Sequence, residues 1–223
     1  MVVGTLSQSE EAAADPGEFA LKYEQNLREN LNSLRDYTWQ SRVEVREEGK
    51  LLYTDLVINR FDASGKMQST EKGRELAVRK RQGVVRGNLQ EGKLRSVTES
   101  VSNLKQWIRS YVFMSRGTVV DFFGKAKKVD SPTYEDAIFF QATNVAQSGD
   151  TVTLHVDKVS GSPIRLTFST PVGKKSQLNA TVHFRHLRTN SAFYADQVDA
   201  NIMEKEKEVL RIKVENFDFV KGL

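Results

Sequence analysis

From Tyr37 to Arg46 the chain alternates without a slip. Tyr37, Trp39, Ser41, Val43 and Val45 take the odd positions; Thr38, Gln40, Arg42, Glu44 and Arg46 take the even ones. A β-strand sends successive side chains to opposite faces, so this stretch predicts a strand with one apolar and one wet face. The same period returns along much of the chain. It is found in Leu51 to Phe61, weakly in Lys66 to Glu71, and again in Ala137 to Ala146, Thr151 to Lys158, Ile164 to Ser169, Gln177 to Arg188, Phe193 to Ile202 and Val209 to Phe219. Turn signals separate these runs: Gly49, Asp62 to Gly65, Ser148-Gly149-Asp150 and Ser160-Gly161-Ser162-Pro163. Short turns between alternating runs make antiparallel hairpins, not βαβ units. Inward positions include Val152, Leu154 and Val156, then Ile164, Leu166 and Phe168, then Leu178, Ala180, Val182 and Phe184. Leu51 to Phe61 carries apolar residues on both faces, which predicts cover on both sides.

Two stretches follow the helical period instead. Pro16 starts the first, behind a capping Asp15 with Glu18 three residues on. Phe19, Tyr23, Leu27, Leu31 and Leu34 then form one stripe. The nearest apolar partner for that stripe is the odd face of Tyr37 to Val45. The second begins at about Ser100, where Val101, Leu104, Ile108, Tyr111, Val112 and Ser115 share a face with Trp107 beside them. A further helix starts near Thr118 and runs to about Ala126. A sheet of about nine strands must curl or close, and these helices are available to fill its concave side.

Charge is concentrated in one place. Lys72 to Arg95 holds eight basic residues against Glu75 and Glu91, so this segment exceeds the +4 net charge of the whole chain. Gly83, Gly87 and Gly92 break it up, and no element is assigned there. It could be a solvated loop or a patch meeting an anionic surface, with Arg79, Lys80, Arg81 and Arg86 the contact residues. Anionic lipid attracts such a segment at ~1 kcal/mol per charge. Nucleic acid is not expected, because no aromatic residue lies between Lys72 and Arg95 to stack on bases.

Several kinds of chemistry are excluded or disfavoured. With no cysteine there is no disulfide, thiolate metal site or cysteine nucleophile. His183 and His186 sit three apart in a strand, on opposite faces, so no metal site is expected from them. HExxH, GxSxG, GxGxxG and P-loop patterns are missing. No enzyme activity and no cofactor are expected. Met1 to Leu6 is too short for a signal-peptide core. Ser7 to Asp15 reads as a loose tail, which suits a mature exported chain and equally a cytosolic one with a frayed end.

The order of elements resembles the periplasmic lipoprotein-carrier fold, the LolA/LolB-like superfamily. A helix over Phe19 to Leu34 leads into YTWQSRVEV and GKLLYTDLVINRFDASGKM. A central helical insertion follows, and a second sheet half ends in VLRIKVENFDFV. The resemblance implies an α+β fold: a curled antiparallel sheet of about nine to eleven strands, an incomplete β-barrel, with helices covering the concave face. The expected layout is a flexible tail over 1–15 and one half-barrel domain over 16–223, with a helical and basic insertion at about 74–128. The resemblance further implies a periplasmic or envelope location, a leader upstream of the mature chain, and a monomer that binds a lipid or an acylated protein. Trp39, Val43, Val45, Val182 and Phe184 would line the cavity from the sheet, and Trp107, Ile108 and Tyr111 from the helices. The other reading of the same residues is an ordinary filled core, in an envelope interaction or sensor domain.

Overall fold

The computed structural model describes residues 16–77, 84–129, 136–188 and 192–222. The tail over 1–15, Arg79, Lys80 and Arg81 lie outside them, as does the side chain of Arg86.

Among the described residues, ten antiparallel strands form one continuous open sheet with three helices on its concave side. The elements run α1 (Pro16–Leu34), β1 (Tyr37–Glu47), β2 (Lys50–Phe61), β3 (Met67–Leu76), α2 (Val84–Val112), α3 (Arg116–Lys125), β4 (Lys127–Val129), β5 (Ala137–Thr143), β6 (Thr151–Asp157), β7 (Pro163–Pro171), β8 (Ser176–His186), β9 (Phe193–Glu204) and β10 (Lys207–Lys221). Across the sheet the order is β3-β2-β1-β10-β9-β8-β7-β6-β5-β4. Two meanders are therefore joined where the last strand pairs with the first. The sheet's two edges, β3 and β4, are the strands connected through α2 and α3. Among the described residues, no helix is long and apolar enough to cross a membrane.

The hairpins owe their tightness to left-handed backbone. Glu48 (φ 46°) and Gly49 (φ 79°) turn β1 into β2. Lys205 (φ 47°) and Glu206 (φ 68°) do the same between β9 and β10. Two adjacent residues with positive φ match the right-handed twist of the paired strands.

The alternation read from β1 is the burial pattern of β1: Tyr37, Trp39, Ser41, Val43 and Val45 are buried. In β2 only one face is fully covered, through Tyr53, Asp55, Val57 and Asn59, while Leu56 and Ile58 are half-buried. Ile164 departs from expectation, since it faces outward. A register shift between His155 and Val156 pairs Val156 with Pro163, which puts Pro163 on the inner face in its place. β3 extends to Leu76, beyond the expected end at Glu71, as an exposed edge.

α2 is 29 residues long and begins sixteen residues before the periodicity becomes legible. Gly87 and Gly92 hid its first turns, since each costs about 1 kcal/mol relative to alanine in a helix interior. Val97, Val101, Leu104, Ile108, Tyr111 and Val112 form its buried face. The Ser115 side chain accepts from the Thr118 amide at 3.1 Å and caps α3. α3 buries Val119, Phe122 and Phe123.

The stripe on α1 meets α3 and β5 more than β1. Phe19 lies 5.3 Å from Phe140 and Tyr23 lies 5.7 Å from Phe123, measured between ring centres. α3 arrives from the β4 edge, so its phenyl rings reach this half of the concave face first. Tyr111 stacks on Phe168 at 4.0 Å. Over β5 to β8 the concave side is thus packed solid, with Phe122, Phe140, Leu154 and Val156 wholly buried.

Candidate ligand cavity under helix α2

Where α3 ends, the packing opens. Between α1, α2 and the strands β3-β2-β1-β10-β9-β8 lies a cavity of about 360 Å³. Trp39, Val43, Val57, Val198, Val214 and Phe219 form much of its floor, and Phe184 and Phe193 a side wall. Ile108, Val112 and Phe113 close it from α2, and Leu27, Asn30 and Leu34 from α1. Asn30 holds its place by accepting from the Phe193 amide at 2.7 Å.

Of the residues expected from the sequence, Trp39, Val43, Ile108 and Phe184 border this space. Val45, Tyr111 and Val182 do not; each is wholly buried in the core. Trp107 is half-buried against the same core. The Tyr111 hydroxyl donates to Asp150 Oδ2 at 2.8 Å, and the Asp150 carboxylate also accepts from the amides of Val145, Ala146 and Gln147 at 2.7, 2.9 and 3.0 Å. Burial opposes the charge on Asp150, but these four donors outweigh it and hold the carboxyl below its ordinary range. Tyr111 therefore anchors the end of α2 to the β5–β6 turn.

One end of the cavity is aromatic. Trp39 stacks on Phe219 at 5.5 Å with planes 7° apart, and lies 5.6 Å from Phe61. Tyr194 adds a ring 4.2 Å from Phe219, and Phe113 one 6.2 Å from Phe61. Phe219 gets there through a bulge. Leu210, Ile212, Val214 and Asn216 share one parity in β10, and Phe219 has the other. The register slips between Thr38 and Gln40 of β1, opposite Asp218 at φ 52°, so Phe219 is turned onto the floor beside Trp39.

A polar seam crosses the otherwise apolar floor. Arg109 Nη2 on α2 donates to Ser69 Oγ at 3.2 Å, and Ser69 Oγ donates to Asn59 Oδ1 at 2.7 Å. Asn59 Nδ2 donates to Ser41 Oγ at 2.6 Å, and the Ser41 hydroxyl donates to Asn216 Oδ1. Asn216 Nδ2 ends the run on the Ala195 carbonyl at 2.6 Å. Every member is hydrogen-bonded, so the seam can lie under an apolar cavity without an orphaned polar group. Lys105, one helical turn before Arg109, also borders the cavity. Burial pushes down the pKa of both side chains.

Sequence reading missed the seam, Lys105, Arg109 and most of the aromatic end. Ser41 was visible as a polar residue on an apolar face, and that is the one signal that pointed to the seam. Among the described residues, no group of three or more His, Asp or Glu could hold a metal ion. His183 and His186 are exposed.

The sequence matches no family model and no curated protein. Three solved structures are similar along nearly the whole chain. A DUF1329 family protein from Desulfovibrio piger shares 10% identity over 93% of this chain and 92% of its own, with a TM-score of 0.44. A LolA superfamily protein from Nitrosomonas europaea shares 11% identity over 89% of this chain and 93% of its own, at 0.36. The MucA/MucB complex of Pseudomonas aeruginosa shares 7% over 94% of this chain and 100% of the matched one, at 0.25.

Proposed function

We propose that this protein binds an acyl chain in the cavity under α2 and acts as a carrier or holder of a lipid or of an acylated protein. The observation that carries this reading is the opening of the concave face into about 360 Å³ of mostly apolar space, while the other half of the same face is packed solid. That volume lies at the small end of the range of ~300–1,000 Å³ usual for ligand pockets. Each methylene buried there contributes ~0.8 kcal/mol, so ten would contribute roughly 8 kcal/mol before the costs of association. Trp39, Val43, Ile108 and Phe184 would touch the chain; Val45, Trp107, Tyr111 and Val182 would support the wall behind them. A periplasmic or envelope setting, a monomeric state and a non-enzymatic role belong to the same proposal. They rest on the resemblance in element order and on the lack of a catalytic motif.

The packed half favours a second reading, a sensor or interaction domain whose core needs no ligand. Native mass spectrometry of the purified protein, with uptake of a fluorescent fatty acid, separates the two. Carriage predicts a co-purifying lipid or saturable uptake. If neither is seen, the carrier reading fails and the interaction domain stands.

A further inference from the structure

We propose that the rim of this cavity is a subsite for an anionic headgroup, held by Lys105 and Arg109, so that the preferred ligand is a single-chain amphiphile ending in a carboxylate or a phosphate. This rests on the acyl-chain reading of the apolar space and adds the chemistry of the ligand's other end.

Lys105 and Arg109 are four residues apart on α2, so both cations lie on one helix face. Both border the cavity, with the exposed Ser102 and Gln106 beside them, which places the pair where the cavity meets solvent. Neither has a carboxylate within salt-bridge distance among the described residues. The carboxylates whose charge acts on Lys105 are Asp55 and Glu71. Arg74 already holds both, with Nε 2.6 Å and Nη2 2.9 Å from Asp55, and Nη2 3.4 Å from Glu71. Among the described residues, the Arg109 side chain donates one hydrogen bond, to Ser69 Oγ, which leaves most of its five N–H donors open to a ligand. Two half-buried cations of like sign, side by side over an apolar space, raise the energy of the empty protein. Desolvation lowers the pKa of both, and for Lys105 the neighbouring Arg109 and Arg74 add to it, against the pull of Asp55 and Glu71. An anion docked between them would remove that cost and make charge-assisted hydrogen bonds. Its chain would run below α2 onto Val43, Ile108 and Trp39.

Calorimetric titration of the intact protein at low salt tests this with four probes, the amphiphiles kept below their micelle concentrations. These are dodecanoate, dodecyl phosphate, the uncharged monododecanoylglycerol and inorganic phosphate. The first two should bind at least about tenfold tighter than the uncharged amphiphile, and inorganic phosphate far more weakly than dodecyl phosphate. In Lys105→Gln/Arg109→Gln the preference should vanish, the two anionic amphiphiles binding no tighter than monododecanoylglycerol does to the same variant. Equal binding of charged and uncharged amphiphiles by the unaltered protein would overturn the headgroup subsite and leave the acyl cavity standing. A preference that persists in the double variant, or inorganic phosphate binding as well as dodecyl phosphate, would overturn it too. If no amphiphile binds the unaltered protein, both readings fall.

Discussion

A packed core and an empty cavity answer differently to one added methylene, and three valines make the comparison direct. Val43 on β1, Val57 on β2 and Val198 on β9 all border the cavity. Valine to isoleucine keeps the β-branch and the strand preference and adds a single carbon at the tip. If that carbon enters empty apolar space, each substitution stabilises by up to ~0.8 kcal/mol and the three together by up to ~2.4 kcal/mol. In a chain of this size that sum corresponds to roughly 5–10 °C in Tm. If the space were already filled, overpacking would cost about 1–3 kcal/mol per site, with the opposite sign. Urea denaturation of V43I, V57I, V198I and the triple variant reads the difference in midpoint at constant slope. The matched control is V182I, where the side chain is wholly buried and does not line the cavity; it should destabilise. The triple variant should also lose fatty-acid uptake in step with the volume filled. Destabilisation of all three cavity variants, to the extent seen for V182I, would refute the open cavity.

Three further outcomes follow from other parts of the molecule. Asp150→Ala leaves three backbone amides and the Tyr111 hydroxyl without their acceptor, and should cost about 3–5 kcal/mol in urea denaturation, with Asp150→Asn losing less. His155 is pushed down to about 4 by burial first, then by the charges of Arg165 and His183. Its neutral form is favoured in the fold, so stability should be full above the unfolded value of about 6.5 and decline as pH falls toward 4, by up to about 3 kcal/mol. His155→Leu should flatten the stability profile in that window and leave the acid limb below it, where the paired carboxylates protonate. Replacing Arg79, Lys80, Arg81 and Arg86 by glutamine should weaken co-sedimentation with vesicles rich in phosphatidylglycerol by ~1 kcal/mol per charge. Unchanged sedimentation would refute the basic run as a contact for an anionic surface.

Much of the fold can be read from local pattern. Period-two alternation in β1 and β6 to β8, and the stripes on α1 and on α2 after Ser100, depend only on which way neighbouring side chains point. Such rules operate within a few residues, so a sequence records them directly. Local rules stop where the backbone breaks its own period. Ile164 and Phe219 were set by bulges whose partners lie on other strands, and α2 was hidden where Gly87 and Gly92 spoil its helix signal.

The candidate site was legible in part, for the same reason. Trp39, Val43, Ile108 and Phe184 could be placed on an inner face from parity alone. Parity does not tell an inner face that is filled from one that is open, and Val45, Tyr111 and Val182 share it with the cavity residues. That distinction depends on where α3 and its phenyl rings stop against the sheet, a contact between segments far apart in the chain. The seam from Arg109 to Ala195 likewise joins one helix and five strands. By itself, then, the sequence determined the alternation, the hairpins and the presence of a curled, one-sided sheet. The tertiary structure alone decided which half of its concave face would be packed, and it set the helix face that carries Lys105 and Arg109 over the half that was not.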